Sequence, residues 1–99
     1  MNVVIQTRNK STDESITFPA LQCWNPVTEV ATIAAEYSGR RISCRIGIKD
    51  LGRKYEVDKN EPMQSITNYR KELEIVARKL IGEKKYEEDG SIMISYDDL

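Results

Sequence analysis

VATIAAEYSGRRISCRI, residues 30–46, decides the fold. Two runs rich in β-formers flank Ser38-Gly39, a dipeptide suited to the two-residue turn of a β-hairpin. Placing those two residues at the turn sets Tyr37 opposite Arg40, Glu36 opposite Arg41, Ala35 opposite Ile42, Ile33 opposite Cys44 and Ala31 opposite Ile46. One face of the ribbon is then apolar from Ala35 and Ile42 onward. The other carries Glu36 with Arg41, Ala34 with Ser43 and Thr32 with Arg45. A slip of one residue would exchange the faces of one strand and scatter the apolar set, so the side-chain pattern itself specifies the register. In this register Cys44 points into the core.

An apolar ribbon face needs a cover, and residues 63–81, MQSITNYRKELEIVARKLI, supply one. At about 100° per residue, Ile66, Tyr69, Leu73, Val76, Ala77 and Leu80 fall on a single stripe. Asn60, Glu61 and Pro62 are start signals, and Lys79 and Gly82 are stop signals. The pattern predicts one continuous rod of roughly 28 Å.

The flanking segments fill in the rest. Residues 1–15 read as an N-terminal arm: Asn2 to Gln6 could pair as a short strand, but TRNKSTDES over 7–15 has no apolar anchor. Residues 16–18 are expected to form a strand with Ile16 and Phe18 inward, ended by Pro19. Trp24 is read as a core plug beside the Asn25-Pro26 turn, and Cys23 and Cys44 as free core thiols. A short helix over 48–55 places Ile48, Leu51 and Tyr55 on one face. Asp89-Gly90 is a turn before a closing strand with Ile92, Ile94 and Tyr96 inward. The expected architecture is α+β. A small curved antiparallel sheet of about four strands, with its central hairpin at 30–46, packs on one face against a long helix (63–81) and a short one (48–55). Residues 16–99 form a single domain.

Composition narrows the function. Ninety-nine residues leave room for one core, and 15 basic against 16 acidic side chains give a net charge of −1. Such a chain has no bulk field to attract nucleic acid or an anionic membrane. No apolar run approaches the roughly 18 residues of a spanning helix, and Met1 to Ile5 lack a signal peptide's basic start. The expectation is a cytoplasmic protein. The chain has no histidine and no CxxC pair, which argues against zinc, and Gly39, Gly47 and Gly52 match no phosphate-binding spacing. No cofactor is therefore expected. Without a histidine base, Cys44 lacks the partner a nucleophile needs, and the chain is expected not to be an enzyme.

In their order and spacing, Ile16-x-Phe18-Pro19, Trp24, Ile33-x-Ala35, Gly39, Ile42-x-Cys44-x-Ile46, Leu51, Tyr55, Tyr69-Arg70-x-x-Leu73-Glu74-x-x-Ala77 and Asp89-Gly90 form a longer pattern. It resembles a family of short bacterial proteins known as domain of unknown function 1488. The resemblance covers residues 16 to 98 or so. It departs at Gly47, where the family pattern has Ser or Thr opening the first helix, and at Ala35, where that pattern has a bulkier residue. The resemblance implies a small α+β domain with a curved antiparallel sheet against helices, and no established activity.

Two functional classes follow from the residues. The first is a small accessory protein, regulatory or belonging to a mobile element, that docks a protein partner or self-associates as a dimer. Its candidate contact residues are Glu36, Arg41, Ser43 and Arg45 on the outward hairpin face and Arg70 at the edge of the helical stripe. Arg70, four residues before Glu74, is read either as a structural clamp or as an anion anchor. The alternative is an auxiliary nucleic-acid-binding or transcription-related factor using the basic cluster Arg40, Arg41, Arg45, Arg53 and Lys54. That cluster offers only Tyr37 and Tyr55 as stacking rings, where single-strand binders use aromatic platforms.

Overall fold

The hairpin forms in the predicted register. A computed structural model describes residues 15–99, so the strand at 2–6 and nearly all of the expected arm lie outside the described residues. Strands β2 (Val30–Tyr37) and β3 (Arg40–Gly47) pair antiparallel with Ala35 opposite Ile42, Ile33 opposite Cys44 and Ala31 opposite Ile46. Ser38 and Gly39 both take positive φ, 53° and 76°, which is what a type I′ turn demands of its two central residues.

β1 (Gln22–Asn25) lies antiparallel on the other side of β2. Residues 16–18, expected to be a strand, contribute only an isolated bridge from Thr17 to Glu36. Ile16 is nevertheless buried, and Phe18 packs against the core. Pro19 stops the pairing, and the ladder resumes with different residues opposed.

The sheet order is β1-β2-β3-β4, and β4 (Ile92–Ile94) runs parallel to β3. The sheet is thus mixed, where an all-antiparallel one was expected. The connection explains the difference. After β3 the chain passes through α1 (Ile48–Lys54), α2 (Pro62–Asn68) and α3 (Arg70–Gly82) before β4, and a helical crossover returns the chain for parallel pairing. β4 ends at Ile94, and Tyr96, expected inward on that strand, opens a 3-10 turn (Tyr96–Asp98). The turn has a capping box in which Asp98 accepts from the Ser95 backbone N–H and hydroxyl.

The predicted rod is two helices. At Tyr69, φ −108° and ψ 15° leave helical geometry, although Leu73 N–H still donates to the Tyr69 carbonyl at 3.0 Å. The bend seats the Tyr69 ring on Tyr55, with centroids 4.3 Å apart and planes 18° from parallel. The start also differs from expectation: Glu61, not Asn60, precedes the first helical residue, and its side chain makes no capping bond. α1 matches its prediction, burying Ile48 and Leu51.

The core lies between the sheet and the helices. Ala31, Ile33, Ala35, Ile42, Cys44, Ile46, Ile92 and Ile94 of the sheet meet Leu51, Ile66, Leu73, Ala77 and Ile81 of the helices. Among the described residues, every helix thus spends its apolar stripe on one sheet face and none covers the opposite face.

Candidate binding surface

The uncovered face is ordered by the register. Cys23 opposes Thr32, Thr32 opposes Arg45 and Arg45 opposes Met93, so these four residues form one row across all four strands. Above it, Ala34 opposes Ser43, and the Leu21 carbonyl accepts from Ala34 N–H at 3.1 Å, which extends that row to the sheet edge. Beyond lies the pair Glu36 and Arg41. Leu21 is 52% exposed, Met93 39%, and Cys23 and Ser43 are exposed too. The face therefore carries an apolar strip at its two edges, with small residues between. A shallow depression of about 480 Å³ lies at the end of this face near the β1–β2 connection, lined by Cys23, Thr32, Arg45 and Met93 together with Asn25 and Pro26.

Both predicted arginines of this face are present, in different roles. Arg41 Nη2 lies 2.7 Å from Glu36 Oε2, and both side chains are about half exposed, at 49% and 46%. This is a solvated cross-strand pair. Arg45 instead ties β3 to the approach to β4: its Nη2 donates to Ser91 Oγ at 2.7 Å and lies 3.6 Å from Asp89 Oδ2. Asp89 Oδ1 in turn accepts from the Ser91 hydroxyl and backbone N–H. Those two hydrogen bonds, more than the Arg45 charge, hold the Asp89 carboxyl below the usual carboxylate range.

Arg70 fulfils the clamp reading. Its Nε donates to Glu74 at 2.8 Å, Nη2 to the Pro19 carbonyl at 2.6 Å, and Nη1 to Gln22 Oε1 at 2.9 Å and the Leu21 carbonyl at 3.3 Å. The side chain is only 14% exposed. A guanidinium spent in this way pins the segment before β1 onto the start of α3.

The two cysteines separate. Cys44 is buried, as expected, and burial pushes its thiol up to about 12 against an opposing pull from the Arg70 charge. A neutral, sealed thiol is a core residue. Cys23, also expected in the core, is exposed on the open face. The signal for this was in the sequence: on a strand of period two, an inward Trp24 requires an outward Cys23, and the same alternation would have placed Leu21 beside it.

The basic cluster is divided. Arg40, Arg41 and Arg45 lie on β3, whereas Arg53 and Lys54 lie on α1 in the helix layer. Arg53 stacks over the Tyr96 ring at 4.0 Å, and Lys54 Nζ donates to the Leu99 carbonyl at 3.5 Å. Tyr55 is occupied by Tyr69. A second concavity, a groove of about 980 Å³ between α1 and α2, is walled by residues of both charges, including Lys49, Arg53, Glu56 and Glu61. Among the described residues no group of three or more candidate ligands could hold a metal ion, and no helix is long and apolar enough to cross a membrane.

Comparison with known proteins gives a family and a fold. The family described as "Protein of unknown function (DUF1488)" matches over residues 16–94. A crystal structure of a DUF1488 family protein from Shewanella loihica PV-4 is similar, with a TM-score of 0.71 at 23% identity, covering 84% of this chain and 94% of that one. No curated protein matches the chain.

Proposed function

For this chain, which belongs to the DUF1488 family, we propose a non-enzymatic role as a small binding module that docks a protein partner through the uncovered sheet face. The observation that carries this reading is that two of the exposed large apolar residues, Leu21 and Met93, share one sheet face. Leu21, Cys23 and Met93 lie on the sheet face that no helix among the described residues covers, with Arg41 and Arg45 among small neighbours. Exposed apolar side chains that share one face contribute to interaction sites, and arginines amid small side chains are frequent anchors. A non-catalytic role is supported by the absence of histidine and the sealed Cys44 thiol. The nucleic-acid reading has less support, because its basic residues are split between two layers.

The test is a photo-crosslinking residue placed at Ser43, on the open face, or at Ile75, on the outer side of α3. In the native host the probe at position 43 should capture a polypeptide that the probe at 75 does not. Capture of nucleic acid at 43, or of polypeptide only at 75, would refute the reading.

A further inference from the structure

The charges of the open face cancel within the face. Glu36 sits against Arg41, and Asp89 against Arg45, so acid and base stand side by side at two places. A surface built for a distinctly acidic or basic partner would present a net charge for that partner to answer. This one presents both signs in equal number, which is the layout a surface needs to complement itself. In an isologous interface every contact occurs twice, so Arg41 can face Glu36 of the partner subunit while Glu36 faces Arg41 of the partner subunit. The middle of the face is made of small residues, Thr32, Ala34 and Ser43, which let two sheets approach to the roughly 10 Å of ordinary sheet stacking. Leu21 and Met93, standing proud at the two edges, would then be covered. A net charge of −1 opposes the approach of two copies only weakly.

Resting on the reading of this face as a docking surface, we propose that its occupant is a second copy of this chain, packed sheet to sheet about a two-fold axis, with Glu36 and Arg41 as the complementary pair. The experiment is sedimentation equilibrium on the native chain, on Arg41→Glu, on Glu36→Arg and on an equimolar mixture of the two variants. Thermal melts verify that each variant is folded. The native chain should dimerise, and each variant alone should do so at least about tenfold more weakly, because like charges now face each other. The mixture should recover the native affinity or exceed it, since an acidic face then meets a basic one. The proposal is overturned if the native chain stays monomeric, if either variant associates as the native chain does, or if the mixture recovers nothing. Should the native chain be monomeric while the probe at Ser43 still captures another polypeptide, the docking reading stands and only the homodimer falls. If that probe captures nothing, both fall.

Discussion

Leu73 has no exposed surface and lies where α3 meets the sheet, whereas Ile75, two residues on, is 64% exposed. Leu73→Ala should therefore cost about 2 to 5 kcal/mol in denaturant unfolding, and Ile75→Ala no more than about 0.5 kcal/mol. Equal losses at the two positions would show that the outer side of α3 is buried as well as the inner one. Asp89 offers a test in pH. Its carboxyl is held below the ordinary value of 3.8 chiefly by Ser91, so the folded chain releases the Asp89 proton more readily than the unfolded chain. The resulting stability is present above pH 3.8 and is lost as pH falls through the lowered folded value. Melting temperatures followed from pH 5 into strong acid should fall more steeply for the native chain than for Asp89→Ala; parallel curves would show that the Ser91 contacts contribute nothing. At this scale the sequence was legible where a residue's environment is set by its own strand. Cys44 and the Glu36–Arg41 pair are examples. Cys23 departs from the expectation because β1, only four residues long, is too short for its alternation to stand out in the run bounded by Pro19 and Pro26.

The elements show the same division between local and distant causes. The hairpin register was readable because both the turn dipeptide and the period-two pattern lie within seventeen consecutive residues, 30–46. The direction of β4 was not, because its three residues read identically in either orientation and the path through α1, α2 and α3 decides it. Nor was the break at Tyr69 readable, since the apolar stripe from Ile66 to Leu73 runs across it without interruption. What sets the break apart is a partner fourteen residues earlier, Tyr55. If the stacked rings hold the bend, a double-mutant cycle between Tyr55→Ala and Tyr69→Ala should give a coupling of about 0.5 to 1.5 kcal/mol. Additive losses would mean that the bend has another cause.

At the scale of the whole molecule the two faces of the sheet are unlike. Three helices crowd one face of a mixed sheet, and the other face keeps Leu21, Cys23, Ser43, Arg41 and Met93 in contact with solvent. Most of that face was legible from the hairpin alone, because the register that buries Ile33, Ile42 and Cys44 necessarily turns Thr32, Ser43 and Arg45 outward. Its edges were not, since Leu21 and Met93 join it only once β1 and β4 are placed. The most direct measurement is carbene footprinting of the chain in dilute solution and in its host's lysate, read residue by residue by mass spectrometry. A working sheet face predicts that labelling of Leu21, Cys23, Ser43 and Met93 falls in the lysate while labelling of Ile75 does not change. Protection of Ile75 with the sheet face still fully labelled would contradict the account and move the docking surface to the outer side of α3.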